Sequence, residues 1–304
     1  MSREYCLDTK LRVVFFSTEN RLALVNLAAK YWLKFNNEVN LSGISIIVNR
    51  IPQGIALPNN GIEYINAGVN YCPGSTHFGP SLKAALNQIK EDYVFFYCDD
   101  YITTHTYNVA QLDNLVRMMI YDNVDFVSFA SMYPERFKFK PYPNTEQYGF
   151  ERGTFFEIDQ TYRHAYSVQP CIWNRHSLLK LLSTNPHLTL HALDNSSIAD
   201  KAGNYRELNY ETNVYPNWNK ETSYNFKTLC TKYKIFDLGY PHDFFVLGYR
   251  EIMRHGMFHI ERNDFNDMLQ YDNNSFIENF IKTENLENDP AFAAFLPAKR
   301  SASH

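Results

Sequence analysis

The chain has 304 residues, of which 45% are hydrophobic and 20% charged, with a formal net charge of −4. This is an ordinary globular composition with enough apolar residues for a buried core. The negative charge argues against nucleic acid as the main partner, because binding phosphates needs a basic surface.

The cysteines and the apolar runs limit where the protein is expected to work. No run approaches the roughly eighteen apolar residues of a membrane span. The N-terminus, Met1–Asp8, lacks the apolar core of a signal peptide. The cysteines are odd in number and scattered without a CxxC pattern, which favours reduced thiols in the cytoplasm over disulfides or a zinc site. They are Cys6, Cys72, Cys98, Cys171 and Cys230.

The first part of the sequence alternates predicted strands and helices. Near-continuous apolar runs predict the strands, and apolar residues at three- and four-residue spacing predict the helices. This alternation is typical of a parallel sheet covered on both faces. In chain order the predictions are strand Arg12–Phe16, helix Asn20–Phe35, strands Ile44–Val48 and Ile62–Ile65, helix Pro80–Lys90, strand Tyr93–Cys98, helix Val109–Tyr121 and strand Val124–Ala130.

The remaining sequence is less regular. Thr154–Ile158 and Ala165–Gln169 predict two antiparallel strands, Arg175–Ser183 predicts a short helix, and the chain beyond about Phe244 is predicted to be mostly helical. We therefore expect an α/β fold with a mixed, mainly parallel sheet over residues 1–243. A helical C-terminal extension with a disordered tail would follow over residues 244–304.

Two adjacent carboxylates, Asp99 and Asp100, end the strand Tyr93–Cys98. In open α/β sheets, ligands bind at the carboxyl ends of the strands. Two neighbouring negative charges are costly unless a cation neutralises them, and a hard divalent metal does so with oxygen ligands. An exposed turn is the alternative interpretation, because Asp-Asp after a strand is common in loops.

Two nucleotide-binding motifs are absent. The first strand leads into Ser17–Arg21, which contains no glycine, so a dinucleotide-binding GxGxxG domain is not expected. No GxxxxGK[ST] motif is present, which excludes a P-loop enzyme.

The order of these parts resembles the GT-A fold of nucleotide-sugar-dependent glycosyltransferases, whose acidic DXD motif follows the fourth strand. It is more closely similar to bacterial and viral family-2-like members, in which a segment like Tyr166–Arg175 precedes a helix like Ser177–Leu182. An Asn-Pro then follows, as at Asn185–Pro186, and then an acidic residue. The resemblance covers roughly residues 10–215.

The resemblance implies a three-layer α/β/α sandwich with a nucleotide-binding half at about 10–131 and an acceptor half at about 132–243. Asp100 would bind Mn²⁺ or Mg²⁺, with Asp99 as a second ligand or a ribose partner. The usual first Asp of the motif falls at Cys98, and thiolate is a poor ligand for these metals. Either Asp99 replaces it or metal binding is weaker than is typical.

The resemblance also implies residues that contact the nucleotide, at the tip of the first strand, near the third strand and at the start of the second predicted helix. Ordinary strand ends and helix capping are the alternative interpretation of all of them. These residues are Phe16, Ser17, Thr18, Asn20, Glu63, Ser81 and Lys83.

Asp194 occupies the place of the family's acidic residue and is the expected general base for the acceptor hydroxyl. A helix N-cap is its alternative role, and Glu211 and Asp159 are the reserve candidates. Aromatic faces can stack on sugar rings, so an acceptor pocket lined by Trp173, Tyr166 and Gln169 is expected. For Trp173, core packing is an equal alternative.

A C-terminal group, Glu251, His255 and His259, has the spacing of one helix face. The HExxH motif of metalloproteases is absent and Gly256 weakens such a helix, so zinc is disfavoured. A single histidine, either from this group or His242, could instead complete the metal or diphosphate site.

The expected function is metal-dependent transfer of a sugar from a nucleoside-diphosphate sugar, UDP or dTDP first, to a glycan hydroxyl with inversion. One alternative is a nucleotidyltransferase acting on a sugar phosphate, although Ser17–Arg21 lacks that class's glycine-rich loop. Another is a degenerate, transferase-like carbohydrate-binding module, which Cys98 would suit. The C-terminal extension could also form a homo-oligomer.

Overall fold

The computed structural model describes residues 11–36, 43–51, 61–71, 77–99, 101–103, 109–132, 139–158, 166, 170–184, 226–232, 249–251, 253–254, 257–258, 278–293 and 295–296. The chain forms two compact units that interleave along the sequence. The first comprises Met1–Glu19, Asn37–Cys98 and Asn108–Tyr233, and the second comprises Asn20–Asn36, Asp99–Tyr107 and Lys234–His304. This division differs from the consecutive domains predicted, because two early segments group with the C-terminal one.

The first unit begins with four parallel strands. They are β1 (Leu11–Phe16), β2 (Ile44–Val48), β3 (Ile62–Asn66) and β4 (Tyr93–Cys98), in the spatial order β3-β2-β1-β4. Phe16 lies opposite Cys98 and Ile47, so β1 and β4 end at the same level. The parallel strands predicted for this part of the sequence are therefore present.

Further strands of the first unit extend this sheet to nine. They are β6 (Phe126–Met132), β7 (Lys140–Pro141), β8 (Phe155–Glu157), β9 (Cys171–Asn174) and β10 (Thr228–Lys232), which continue the order as β4-β9-β6-β10-β8-β7. β9 is antiparallel to both β4 and β6, and β8 is antiparallel to both β10 and β7. Only β9 and β8 are reversed, so the predicted mixed, mainly parallel sheet is confirmed.

Both faces of the sheet are buried. On one face, α2 (Phe78–Leu86) and α4 (Arg175–Thr184) share a core with residues of β1, β4 and β9. On the other face, Phe15, Phe95 and Phe129 are at most 5% exposed. The helix α3 (Val109–Tyr121) belongs to the same unit and buries its apolar side. The predicted α/β class, with helices on both sides of the sheet, is confirmed.

Most predicted elements of the first unit are close to the observed ones. β2, β4 and α3 match to the residue, and β1, β3 and α4 match within one residue. The antiparallel strand predicted over Ala165–Gln169 falls largely outside the described residues. The strand that the structure describes there is β9, which starts at Cys171.

The second unit contains α1 (Leu22–Asn36), β5 (Tyr101–Thr103) and parts of the C-terminal region. β11 (Tyr249–Glu251) pairs antiparallel with β5, and β12 (Met253–Arg254) pairs with β13 (Met257–Phe258). Helical backbone is described over 278–283, followed by 3-10 turns at Leu286–Asn288 and Pro290–Phe292.

The predicted helical extension is therefore correct for 278–283 and wrong for the described residues between 249 and 258. Glu251, predicted to share a helix face with His255 and His259, lies in β11 instead, and both histidines lie outside the described residues.

Candidate functional site

The end of β1 has a buried aromatic residue followed by a buried polar one. The Phe16 ring is in the core of the first unit, 5% exposed, and packs edge-on to Phe96 at 6.2 Å between ring centroids. Ser17 is 3% exposed and its backbone N–H donates to the carbonyl of Ile47 at 2.9 Å. Thr18, which is half-buried, begins the polar stretch beyond the strand.

Two asparagines that the sequence analysis missed lie at the ends of the neighbouring strands. The backbone N–H of Glu19 donates to Oδ1 of Asn49 at 2.6 Å, directly after β2. At the end of β3, Oδ1 of Asn66 accepts from the N–H of Gly68 at 2.9 Å. These bonds order the loops at the carboxyl edge of the first unit. The sequence signal that could have identified these two asparagines is a polar residue at the end of each predicted strand.

The acidic pair begins directly after β4, whose last residue, Cys98, is half-buried. Asp99 has a side chain only 5% exposed, and its Oδ1 lies 2.9 Å from Nη2 of Arg21. A buried carboxylate needs such a partner, because burial removes its hydration. The Nε of Arg21 is itself buried and has no hydrogen-bond partner among the described residues. Sequence reasoning did not single out Arg21.

The other predicted nucleotide contacts are spread over the chain. Asn20 is exposed in the 3-10 turn Glu19–Arg21. Ser81 and Lys83 are half-buried in α2, on either side of Leu82, which is in the core.

Glu63 is placed at the amino end of the sheet. It is the second residue of β3, and its Oε2 lies 2.6 Å from Nη2 of Arg12. Nε of Arg12 also donates to Oγ of Ser45 at 2.9 Å, and Nη1 lies 3.8 Å from Glu91. The structure therefore does not bring Glu63 together with Ser17 and Cys98, which lie at the carboxyl ends of their strands.

Trp173 and Tyr166 are core residues. Trp173 is fully buried in β9, and its ring centroid lies 4.5 Å from that of Phe126 and 5.7 Å from that of Tyr166. Tyr166 is 1% exposed. The predicted acceptor pocket lined by these two rings is wrong, because neither ring reaches the surface; core packing is their role.

Several predicted residues lie outside the described part of the chain. They are Asp100, Asp159, Gln169, Asp194, Glu211, His242, His255 and His259. Among the residues that the structure does describe, no group of three or more His, Cys, Asp or Glu could hold a metal ion. The helices within that same part include none that is both long and apolar enough to cross a membrane.

The second unit contains a polar cluster that the sequence did not reveal, formed by α1 and the C-terminal segment 278–296. Glu284 accepts from Nζ of Lys30 at 2.8 Å and from the hydroxyl of Tyr31 at 2.6 Å. The Tyr31 ring packs edge-on to Phe280 at 5.1 Å. Burial alone would raise the pKa of Glu284, but the hydrogen bonds from Lys30 and Tyr31 hold that pKa below its usual value.

This cluster predicts a pH dependence. Since the pKa of Glu284 is lower in the folded protein than in the unfolded chain, its contribution to stability is present above the usual value of 4.5 and is lost as the pH falls through the folded-state pKa. We expect the wild type to have a higher melting temperature than Glu284→Gln at about pH 7, and the difference to shrink towards about pH 3. A difference that does not change with pH would contradict the ionic role of Glu284.

No protein-family model matches the chain, and no curated protein does. Solved structures are similar to it in fold. One is a mannosyltransferase from Pyrobaculum calidifontis in complex with GDP-Man and Mn²⁺, at 11% identity and a TM-score of 0.36, covering 62% of this chain and 50% of that one. Another is GalNAc-T7 with UDP, GalNAc and Mn²⁺, at 9% identity and a TM-score of 0.45, covering 73% of this chain and 42% of that one.

A third is a CMP:2-keto-3-deoxy-manno-octonic acid synthetase complexed with CTP, at 11% identity and a TM-score of 0.39, covering 73% of this chain and 90% of that one. The match to the mannosyltransferase covers half of that protein's length. At such identities and TM-scores these likenesses define neither an activity nor a substrate for this chain.

Proposed function

We propose that the protein is a glycosyltransferase that moves a sugar from a nucleoside-diphosphate sugar to a glycan hydroxyl with the help of a divalent metal. The observation that carries this proposal is the end of β4. This strand runs parallel to β1, β2 and β3 and is followed directly by two carboxylates, of which Asp99 is buried and paired with Arg21. Carboxyl ends of parallel strands are the usual place for ligands in α/β sheets.

The donor set suits Mn²⁺ or Mg²⁺, since both metals prefer carboxylate oxygen. We assign Asp100 as the metal ligand and Asp99 as the residue that supports it, because Oδ1 of Asp99 is already engaged by Arg21. Cys98 contributes no ligand, as thiolate binds these metals poorly. The bound metal would neutralise the leaving diphosphate.

For the nucleotide, UDP or dTDP first, we retain Ser17, Thr18 and Asn20 as contacts and add Asn49, whose amide oxygen already orders the loop after β1. Ser81 and Lys83 remain proposals from the resemblance. Phe16 and Glu63 are left out. The ring of Phe16 is buried in the core, and Glu63 is bound to Arg12 at the amino end of β3.

The test is a thermal-shift measurement with nucleoside diphosphates and nucleotide sugars, with and without Mn²⁺. A ligand at a hundred times its Kd stabilises the native state by about 2.7 kcal/mol, which raises the melting temperature by roughly 5 °C. We expect such a shift with one nucleoside diphosphate and only when Mn²⁺ is present. Stabilisation by nucleoside triphosphates alone would favour the nucleotidyltransferase, and no shift with any nucleotide would favour the degenerate module.

Asp194 is proposed as the general base that deprotonates the acceptor hydroxyl in an inverting displacement. Asp194→Asn should lower kcat for transfer by about 10²–10⁴-fold, the usual contribution of such a base. The Kd of the nucleotide sugar should stay unchanged, because the base does not act on the donor. Asp200→Asn, six residues further along the chain, is the matched control. Equal loss of transfer and of donor binding would instead make Asp194 structural.

A further inference from the structure

The ion pair between Arg21 and Asp99 fixes the first residue of the acidic pair. The Asp99 side chain is 5% exposed and that of Arg21 is 32% exposed, so the contact is shielded on the carboxylate side. A charge-assisted hydrogen bond in a poorly solvated environment is strong and directional. Since Asp99 is bonded directly to Asp100, holding its carboxylate restricts the backbone that carries both acids.

Arg21 is in turn attached to a helix. It is the last residue of a 3-10 turn, and α1 starts at the next residue, Leu22. The fifteen residues of α1 form a rod about 22 Å long. Any shift of this helix therefore displaces the backbone of Arg21.

The C-terminal segment 278–296 binds the same helix. Lys30 and Tyr31 lie nine and ten residues beyond Arg21 and both donate to the carboxylate of Glu284. The 5.1 Å ring contact between Tyr31 and Phe280 adds an apolar anchor. With the carboxylate of Glu284 bound to both donors, the segment fixes the position of α1 within the second unit.

The residues after the acidic pair are also held by the C-terminal region. β5 begins at Tyr101, which pairs with Glu251 of β11. Asp99 and Tyr101, the described residues on either side of position 100, are thus both attached within the second unit, Asp99 by the ion pair to Arg21 and Tyr101 by the β5–β11 pairing.

We propose that Arg21 is a positioning residue for the acidic pair, and that Glu284 acts through it by anchoring α1. This inference rests on the proposed function, because it assumes that the acidic pair binds the metal. It assigns a role to the C-terminal segment that neither its composition nor its helical pattern indicates. Loss of either residue should weaken metal binding, although neither needs to touch the metal.

The experiment measures two quantities on the full chain: the Kd for Mn²⁺ alone, by electron paramagnetic resonance, and hydrogen exchange of the peptide that contains residues 99–103. We expect Arg21→Met to raise the Kd by about 10–100-fold, the usual effect of losing a residue that orients a metal ligand. Arg21→Lys, which keeps the positive charge, should raise the Kd by less. Both variants should speed exchange in that peptide.

The contribution of Glu284 has a matched control on the same segment. Glu284→Ala should raise the Kd for Mn²⁺ and speed exchange at 99–103, and Glu284→Gln should restore part of both, since an amide oxygen still accepts from Tyr31. Glu287→Ala, which removes an exposed carboxylate three residues away, should change neither.

Faster exchange with an unchanged Kd in the Arg21 variants would make the ion pair purely structural and overturn the inference. Equal effects of Glu284→Ala and Glu287→Ala would overturn the role of Glu284. A wild type that binds no Mn²⁺ would instead overturn the proposed metal site itself, and with it the positioning role. Normal melting temperatures of the variants would show that any loss is not a loss of fold.

Discussion

Replacing Asp100 with asparagine is expected to lower metal-dependent sugar transfer by about 10³-fold, equivalent to about 4 kcal/mol of transition-state stabilisation. The amide keeps the shape of the carboxylate but loses the charge that holds Mn²⁺ or Mg²⁺. The measurement is kcat/KM as a function of Mn²⁺ concentration. If the carboxylate also orients the ion, a high Mn²⁺ concentration should not fully restore the activity of Asp100→Asn.

The control for this substitution is Glu146→Gln, an exposed acid in the 3-10 turn Thr145–Tyr148. It changes the net charge by the same amount and should leave the activity at the wild-type level. The Asp100→Asn protein should also melt at about the wild-type temperature. Undiminished turnover in that variant would remove the metal assignment.

The second large effect is expected on stability. Trp173→Ala should lower the free energy of unfolding by about 3–5 kcal/mol, because it leaves a large cavity among side chains that pack closely. Trp173 is fully buried in the middle strand between β4 and β6, in contact with the rings of Phe126 and Tyr166. Chemical denaturation of the purified protein measures this change directly.

Tyr121→Ala is the matched aromatic control, since Tyr121 is 69% exposed at the end of α3. Its effect on the free energy of unfolding should stay within about 0.5 kcal/mol. If Trp173→Ala instead spared stability and weakened acceptor binding, the ring would line a pocket and the structural assignment to the core would fail.

The fold was predictable where a strand is buried on both faces. β2 and β4 are continuous apolar runs, and such runs identify central parallel strands from local sequence alone. β5 and β11 have three residues each, and their paired residues are far apart in sequence, Thr103 with Tyr249 and Tyr101 with Glu251. No local pattern specifies so short a strand, because only the tertiary pairing stabilises it.

The candidate site was predictable in the same uneven way. The acidic pair was found because it ends a recognisable strand. Arg21 was missed because one arginine before a helix looks like any surface charge, and only the structure shows the buried carboxylate that it contacts. Glu63 was misassigned because it lies at the amino end of β3, whereas ligands are expected at the carboxyl ends of the strands. An aromatic residue such as Trp173 looks the same in a sequence whether it packs in a core or lines a sugar-binding site.

The discontinuous second unit has a consequence for synthesis of the protein. At roughly 5–20 residues per second, a ribosome needs about 7–30 s to extend the chain from Thr103 to Glu251. During that interval β5 has no partner strand and α1 has no Glu284 to bind. The nascent sheet of β1–β4 can form early, but the chain that carries the acidic pair gains its C-terminal supports only after residues 249–284 have been synthesised. A premature stop at any codon from 233 to 284 would remove Glu284 from the finished chain while leaving every strand of the nine-stranded sheet encoded.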